Sequence, residues 1–361
     1  MAPPIDASFA AKSPGHAPRR GRIVLVKFWL NIAALAALSG TAWADGPVPA
    51  PFGPPQTNWA KLDSGGEWGS SAGIERGPKG EIWAIGRCGA NSCDESSLPP
   101  IHLMDLKTGK PIRSIGAGLF VFPHGLFVDR DGNVWVTDGA KSKDGTKGFQ
   151  VIKLSPDGRV LMRLGVAGVS GADETHFQSP TDVVVASNGA IFVADGHGPS
   201  PVIPEANVAR IMKFDRNGRF LKQWGSKGAG EGQFNNPHAL ALDPRGHLFV
   251  ADRGNARIQI FEEDGTFVAQ WKQLGRPSGF YIDRRAYSDT RDTIYAIDAD
   301  STDQSNPGYH KGVYIGSVST GELKGFVPDE QAGEGVVIAP DGNMYGAVNV
   351  APRGITKYPK H

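Results

Sequence analysis

FPHGLFVDRDGNVWVTDG (122–139), SPTDVVVASNGAIFVADG (179–196) and NPHALALDPRGHLFVADRG (236–254) are three copies of one pattern. Their prolines, Pro123, Pro180 and Pro237, recur every 57 residues, as do Gly132, Gly189 and Gly246, and Asp138, Asp195 and Asp252. A long unit repeating in register is the mark of a repeat architecture. Within each copy an apolar strand meets a Gly-containing turn and a second apolar strand. A third strand (FQVIKL, ARIMKF, ARIQIF) and a fourth (VLMRLG, FLKQWG, FVAQWK) follow. The turns are too short for crossover helices, so each unit is a four-stranded antiparallel meander. One such sheet cannot bury both faces alone, and stacking the sheets around an axis gives an all-β propeller.

Weaker copies extend the count. GIERGPKGEIWAIGRC with IHLMDLKTGKPIRSIG supplies an earlier blade, and GRPSGFYID with DTIYAIDAD and GVYIGSVSTGELKGFV supplies a fifth. The last unit, GEGVVIAPDGNMYGAVN with GITKYPK, lacks a fourth strand, which NWAKLD (Asn58 to Asp63) is expected to provide. The prediction is a six-bladed β-propeller over residues 58–361, closed by its own two ends.

The 361 residues, with 48 Gly and 27 Pro, suit many tight turns and few helices. A net charge of +1 without a long basic run argues against a nucleic-acid partner. Residues 1–44 read as an export signal: Arg19, Arg20, Arg22 and Lys27 precede the apolar run FWLNIAALAALSG, and Ala42-Trp43-Ala44 offers a cleavage site. That run is 13 residues, short of the ~20 a membrane span needs. An uncleaved anchor is the alternative, and the long charged segment ahead of the run suggests a translation start nearer Val24 or Val26. The expected location is periplasmic or secreted, with no stable membrane span after cleavage. Residues 45–57, DGPVPAPFGPPQT, read as an extended proline-rich linker. Cys88 and Cys93, the only cysteines, suit a small disulfide-closed loop in an exported protein better than a metal site.

The inner strand of each blade lines the axial channel, so equivalent positions form rings. Counting back eleven residues from the aromatic of the second strand gives Ala72, His124, Thr181, His238 and Glu334, and Ser278 occupies the matching place in blade five. Alternate blades of a six-fold ring stand about 120° apart, so His124, His238 and Glu334 are expected to converge on the axis. Two imidazoles and a carboxylate with an open position suit zinc, or ferrous iron as a facial triad. Satisfied core histidines beside a solvated carboxylate are the bland alternative. A second ring lies past the second strand, with Arg87, Arg253 and His197. The guanidinium groups could grip a carboxylate, and His197 could act as a base. Arg253 pairing with Asp252, and His197 as loop surface, are the competing readings. His176, His247, His310 and His361 fall outside the rings and read as surface residues. The Asp-Gly pairs at 131, 157, 264 and 341 sit at hairpins rather than in calcium loops. No nucleophile elbow, P-loop or zinc-protease helix motif is present.

PHGLFVDRDGNVWVTD, FQSPTDVVVASNGAIFVADG and GQFNNPHALALDPRGHLFVADRGNARIQIF resemble NHL-repeat propellers, and among them the peptidyl-hydroxyglycine amidating lyases. That resemblance implies a carbon-nitrogen lyase that splits a peptidyl-α-hydroxyglycine into a peptide amide and glyoxylate. It implies a channel zinc, with His124 and His238 matching two of the family's three histidine ligands and Arg87 and Arg253 matching its site arginines. The third histidine falls on Glu334, the acid used for calcium falls on Gly335, and the catalytic tyrosine falls on His197. Imidazole and phenol differ in pKa, ~6.5 against ~10. Two other classes remain open: a propeller that binds a peptide, protein or glycan around a structural metal, and a metal-dependent hydrolase or lactonase.

Overall fold

The computed structural model describes residues 50–62, 67–199, 206–282 and 292–361. The export signal expected over 1–44 lies outside the described residues. Six antiparallel sheets follow one another in chain order, five of four strands and one of three. The inner strands are Ile74–Arg76, Pro123–Val128, Pro180–Val185, Pro237–Leu242, Gly279–Ile282 and Gly335–Ile338. Each packs against the inner strand of the next blade, and the sixth packs against the first, which closes the ring. The described residues are thus the predicted six-bladed all-β propeller.

Burial grades outward through each blade as the sequence pattern requires. The inner strand of blade two is buried throughout, whereas the outer strand Val160–Leu164 is exposed or half-buried except at Leu164. Aromatic and β-branched side chains fill the seams between blades: Trp135, Phe192, Phe214 and Phe261 belong to one such cluster.

In blades two to five an aspartate at the end of the second strand closes the start of the inner strand. Asp138, fully buried, accepts the backbone N–H groups of Val121 and Phe122 at 3.1 and 2.6 Å. Asp195 accepts those of Gln178 and Ser179, Asp252 that of Asn235, and Asp298 that of Arg276. Burial pushes the Asp138 carboxyl up to about 7, against the pull of those amides. These clamps fix where the first channel-facing residue sits in blades two to five.

Ring closure differs from expectation. The segment that pairs with the last strand, Ile355–Tyr358, starts before Asn58: Gly53 and Gln56 donate to the carbonyls of Pro359 and Lys357 at 2.8 and 2.7 Å, and Trp59 donates to that of Ile355 at 3.0 Å. Part of the expected linker therefore runs along the outer edge of the last strand through isolated bridges, and the sixth sheet keeps three strands. Pro54 and Pro55 are tolerated because the ladder takes its N–H donors from the residues around them. Asp63 lies outside the described residues.

His102, on the third strand of blade one, bears on stability. Its Nδ1 is 2.8 Å from the Ser114 hydroxyl and its ring stands edge-on to Trp68. Burial lowers its pKa to about 4. The folded value lies below the unfolded one, so the stability this residue contributes is complete above pH ~6.5 and is lost as pH falls toward 4. Urea unfolding at pH 7.5 and 4.5 is expected to show His102→Gln escaping up to about 3 kcal/mol of the acid loss suffered by the native chain. Equal losses in both proteins would refute this.

Candidate metal centre

The six ring residues Ala72, His124, Thr181, His238, Ser278 and Glu334 all line one cavity of about 50 Å³ on the axis. It has room for an ion and about one water. A larger depression of about 760 Å³ lies at the other mouth, among the hairpin turns, and holds none of the predicted site residues. His124, His238 and Glu334 line the small cavity, while Arg87, His197 and Arg253 lie outside its lining.

His124 and His238 are buried and held alike. His124 Nδ1 lies 2.8 Å from the Thr181 carbonyl oxygen, and His238 Nδ1 lies 2.6 Å from that of Ser278. A nitrogen bonded to a carbonyl must carry the proton, so each Nε2 presents a lone pair. Both Nε2 atoms are buried and have no hydrogen-bond partner. Burial pushes both imidazoles well below their usual pKa, His124 to about 3, so both are neutral near pH 7. A buried lone pair without a donor is costly. Two facing each other, each oriented by a backbone carbonyl, make the arrangement seen around metal-binding histidines.

Glu334 completes the group. Its Oε2 is 3.7 Å from His124 Nε2 and its Oε1 is 3.6 Å from His238 Nε2. Ligand atoms around a tetrahedral zinc stand about 3.3 Å apart, given bonds of ~2.0–2.1 Å. Burial pushes the Glu334 carboxyl up, but His238, His124, Arg253 and Arg87 together hold it well below the carboxylate range. The donor set therefore fits a divalent ion.

His197 also reaches this point. The ligand atoms of His124, His197 and His238 all lie within 4.8 Å of one another. The His197 ring centroid is 5.1 Å from that of His124 and 5.3 Å from that of His238. Its Nδ1 bonds the Gly198 carbonyl, leaving Nε2 as an acceptor. Burial, with Arg253 adding to it, lowers its pKa to about 4.

The two arginines differ. Arg87 stacks 3.6 Å over the Phe122 ring and donates to the Pro123 carbonyl and to Asn91 Oδ1, at 3.1 and 2.9 Å. Its remaining amino group, Nη2, is buried without a partner. Burial lowers its pKa to about 10 although Glu334 opposes the shift. A disulfide joins Cys88 to Cys93 and closes the loop that carries Asn91. Arg253 does not pair with Asp252, which Arg257 occupies at 2.7 Å. Its Nη1 lies 3.0 Å from Glu334 Oε1 and 3.4 Å from Asp300 Oδ2. Asn91 and Asp300 were invisible to ring counting, since loops rather than repeat positions bring them in; Phe122 opens a repeat copy, but its stacking under Arg87 is a contact between blades that spacing does not reveal. At Gly335 a side chain would meet the Ala72 carbonyl at 2.6 Å, so blades six and one leave no room there for an acid. His247, outside the rings, pairs with Asp243 at 2.9 Å.

Six repeated sheets with this channel define the class. An NHL-repeat family model matches residues 234–261, and the chain is a six-bladed β-propeller that carries an NHL repeat in blade four. Within that class it resembles the peptidyl-α-hydroxyglycine α-amidating lyases. It is 42% identical over 163 residues to the peptidylglycine α-amidating monooxygenase of Rattus norvegicus, covering 43% of this chain and 15% of that protein. It is 40% identical over 150 residues to a probable peptidyl-α-hydroxyglycine α-amidating lyase of Caenorhabditis elegans, covering 40% of this chain and 38% of that one. The chain thus spans well under half the length of these curated relatives. Among solved structures, a gluconolactonase from Xanthomonas campestris superposes with a TM-score of 0.56 at 17% identity, over 87% of this chain and 97% of that one. That likeness concerns the fold.

Proposed function

We propose that the protein is an exported, metal-dependent lyase that cleaves a peptidyl-α-hydroxyglycine, or a related hydroxylated small carboxylate, to an amide and glyoxylate. The observation that carries this reading is the pair of orphaned, neutral imidazole nitrogens facing Glu334. His124, His238 and Glu334 would hold the ion, with zinc the best match and iron the alternative. When bound, such an ion supplies a Lewis acid that lowers the pKa of a substrate hydroxyl. His197 Nε2 is the base that takes the hydroxyl proton. A carbonyl then forms at that carbon, its bond to nitrogen breaks, and the departing amide nitrogen gains a proton. Arg87, with its free buried Nη2, holds the substrate carboxylate. Arg253, engaged by Glu334, keeps that carboxylate in place as a ligand and lends a second positive charge.

One observation favours a second arrangement, in which His197 rather than Glu334 is the third ligand: the three imidazoles cluster within 4.8 Å. Export is supported by the disulfide. Among the described residues no helix is long and apolar enough to cross a membrane. The test is direct. Zinc-loaded protein given an N-acyl-α-hydroxyglycine is expected to release glyoxylate faster than chelator-treated protein, and equal rates would count against the proposal.

A further inference from the structure

Three partners hold the Arg87 side chain and leave one group over. Blade two supplies two of them: the Phe122 ring, whose centre is 3.6 Å from the guanidinium carbon, and the Pro123 carbonyl, 3.1 Å from Nε. The third, Asn91 Oδ1, lies 2.9 Å from Nη1 and comes from the loop that follows Arg87 in blade one. Only Nη2 remains, buried and without a partner. The charge of this guanidinium bears on Glu334, His124 and His197, which places it at the same centre.

No strand fixes Asn91. It is half-buried in the loop between the second and third strands, beside the exposed Ala90. Cys88, directly after Arg87, has φ +56°, a left-handed conformation that a residue with a β-carbon adopts reluctantly. Two sets of ties hold the loop. At its start the Arg87 N–H donates to the Ser70 carbonyl at 2.8 Å, and the Ser70 N–H donates to that of Ala90 at 2.7 Å. At its end the Cys93 N–H and the Ser92 hydroxyl donate to the Val121 carbonyl, at 2.7 and 3.1 Å. The Cys88–Cys93 disulfide joins the two ends. Asn91 is thereby fixed relative to residues 121–123, the segment that carries the other two partners of Arg87 and that Asp138 clamps.

We propose that Asn91 and the Cys88–Cys93 bridge are positioning residues for the substrate carboxylate: from a stapled loop they occupy Nη1 of Arg87 and aim its remaining amino group, Nη2, at that carboxylate. A guanidinium fixed before the substrate arrives loses less freedom on binding it. Disulfides persist where thiols are oxidised, so this half of the site is complete only in an oxidising compartment. The inference rests on the lyase reading, in which Arg87 holds the carboxylate, and deepens it by naming what holds Arg87.

The test titrates N-acetylglycine, an unreactive carboxylate that lacks the hydroxyl, into zinc-loaded full-length protein by calorimetry. Asn91→Ala, and Cys88→Ser combined with Cys93→Ser, are each expected to weaken binding by about fivefold to tenfold while a full equivalent of metal is retained. All three changes together should cost no more than about twofold beyond either, and in an Arg87→Ala background they should shift binding by less than about twofold, because they act through that guanidinium. In turnover, Asn91→Ala should raise KM by the same factor and lower kcat by no more than about twofold. Unchanged or tighter probe binding by Asn91→Ala, additive losses, or no probe binding by the native chain overturns the proposal. Asn91→Ala keeps the bridge and carries the test if the serine variant does not fold. Glyoxylate release from N-acetyl-α-hydroxyglycine separates the two claims. Probe binding that follows these variants without any release would sink the lyase reading and leave the carboxylate frame standing, and release with KM unmoved by Asn91→Ala would do the reverse.

Discussion

His238→Ala is expected to abolish the divalent-ion binding proposed for the channel. The native imidazole is 1% exposed, its ring is oriented by the Ser278 carbonyl, and its Nε2 points at Glu334 with no donor to satisfy it. Loss of groups that merely orient a metal ligand costs 10–100-fold in affinity, so loss of the ligand itself should cost at least about a hundredfold. An ion held by side chains from separate blades would bind only the folded chain. At a zinc concentration 100 times the dissociation constant, binding adds about 2.7 kcal/mol of stability. Two readouts follow: metal content by elemental analysis, and the upward shift of melting temperature on adding zinc. The native chain should show both, and His238→Ala neither. His247→Ala is the control, because that imidazole pairs with Asp243 outside the channel. If His238→Ala kept a full equivalent of metal, the proposed centre would be abandoned.

Much of this site was legible because a propeller converts sequence period into angle. Once Pro123, Pro180 and Pro237 set the interval, His124 and His238 had to face the same channel two blades apart. The same counting reached Glu334 through a much weaker repeat, and all six ring positions line the cavity. What period could not supply was the loops. Arg87 and Arg253 hold equivalent places, yet one is stacked on Phe122 with a free amino group and the other is shared between Glu334 and Asp300. Asp300 comes from a loop with no repeat register, and the Arg87–Phe122 and Arg253–Glu334 contacts join different blades, which spacing within one blade does not reveal. The ring-closing strand was misplaced for a related reason. Proline content marks Pro54 and Pro55 as unfit for a sheet centre, but isolated bridges along a sheet edge need only some of the N–H groups, and Gly53 and Gln56 provide them. The repeated aspartates were visible as a pattern while their purpose was not. Clamping the backbone ahead of each inner strand is a long-range contact that spacing alone does not reveal.

Glu334→Gln and His197→Gln should part company, and their comparison decides which side chain is the third ligand. Glutamine keeps the size of Glu334 but not its charge. The carboxylate stands 3.7 and 3.6 Å from the two Nε2 atoms and 3.0 Å from Arg253, so its neutralisation removes an anionic donor and leaves two buried guanidinium groups facing the cation site. Like charge around a cation opposes binding as surely as a missing ligand does. Glu334→Gln is therefore expected to lower metal affinity by about tenfold to a hundredfold. His197→Gln removes a neutral base whose Nδ1 is fixed by Gly198. It is expected to retain a full equivalent of metal while kcat falls by about 10²–10⁴-fold. The visible spectrum of the cobalt-substituted protein reads ligand number independently of turnover. It should change with Glu334→Gln and persist with His197→Gln. The opposite pattern, with metal lost on changing His197 and kept on changing Glu334, would move the third ligand from blade six to blade three. Glu334, held by Arg253, would then be left as the group that accepts the proton.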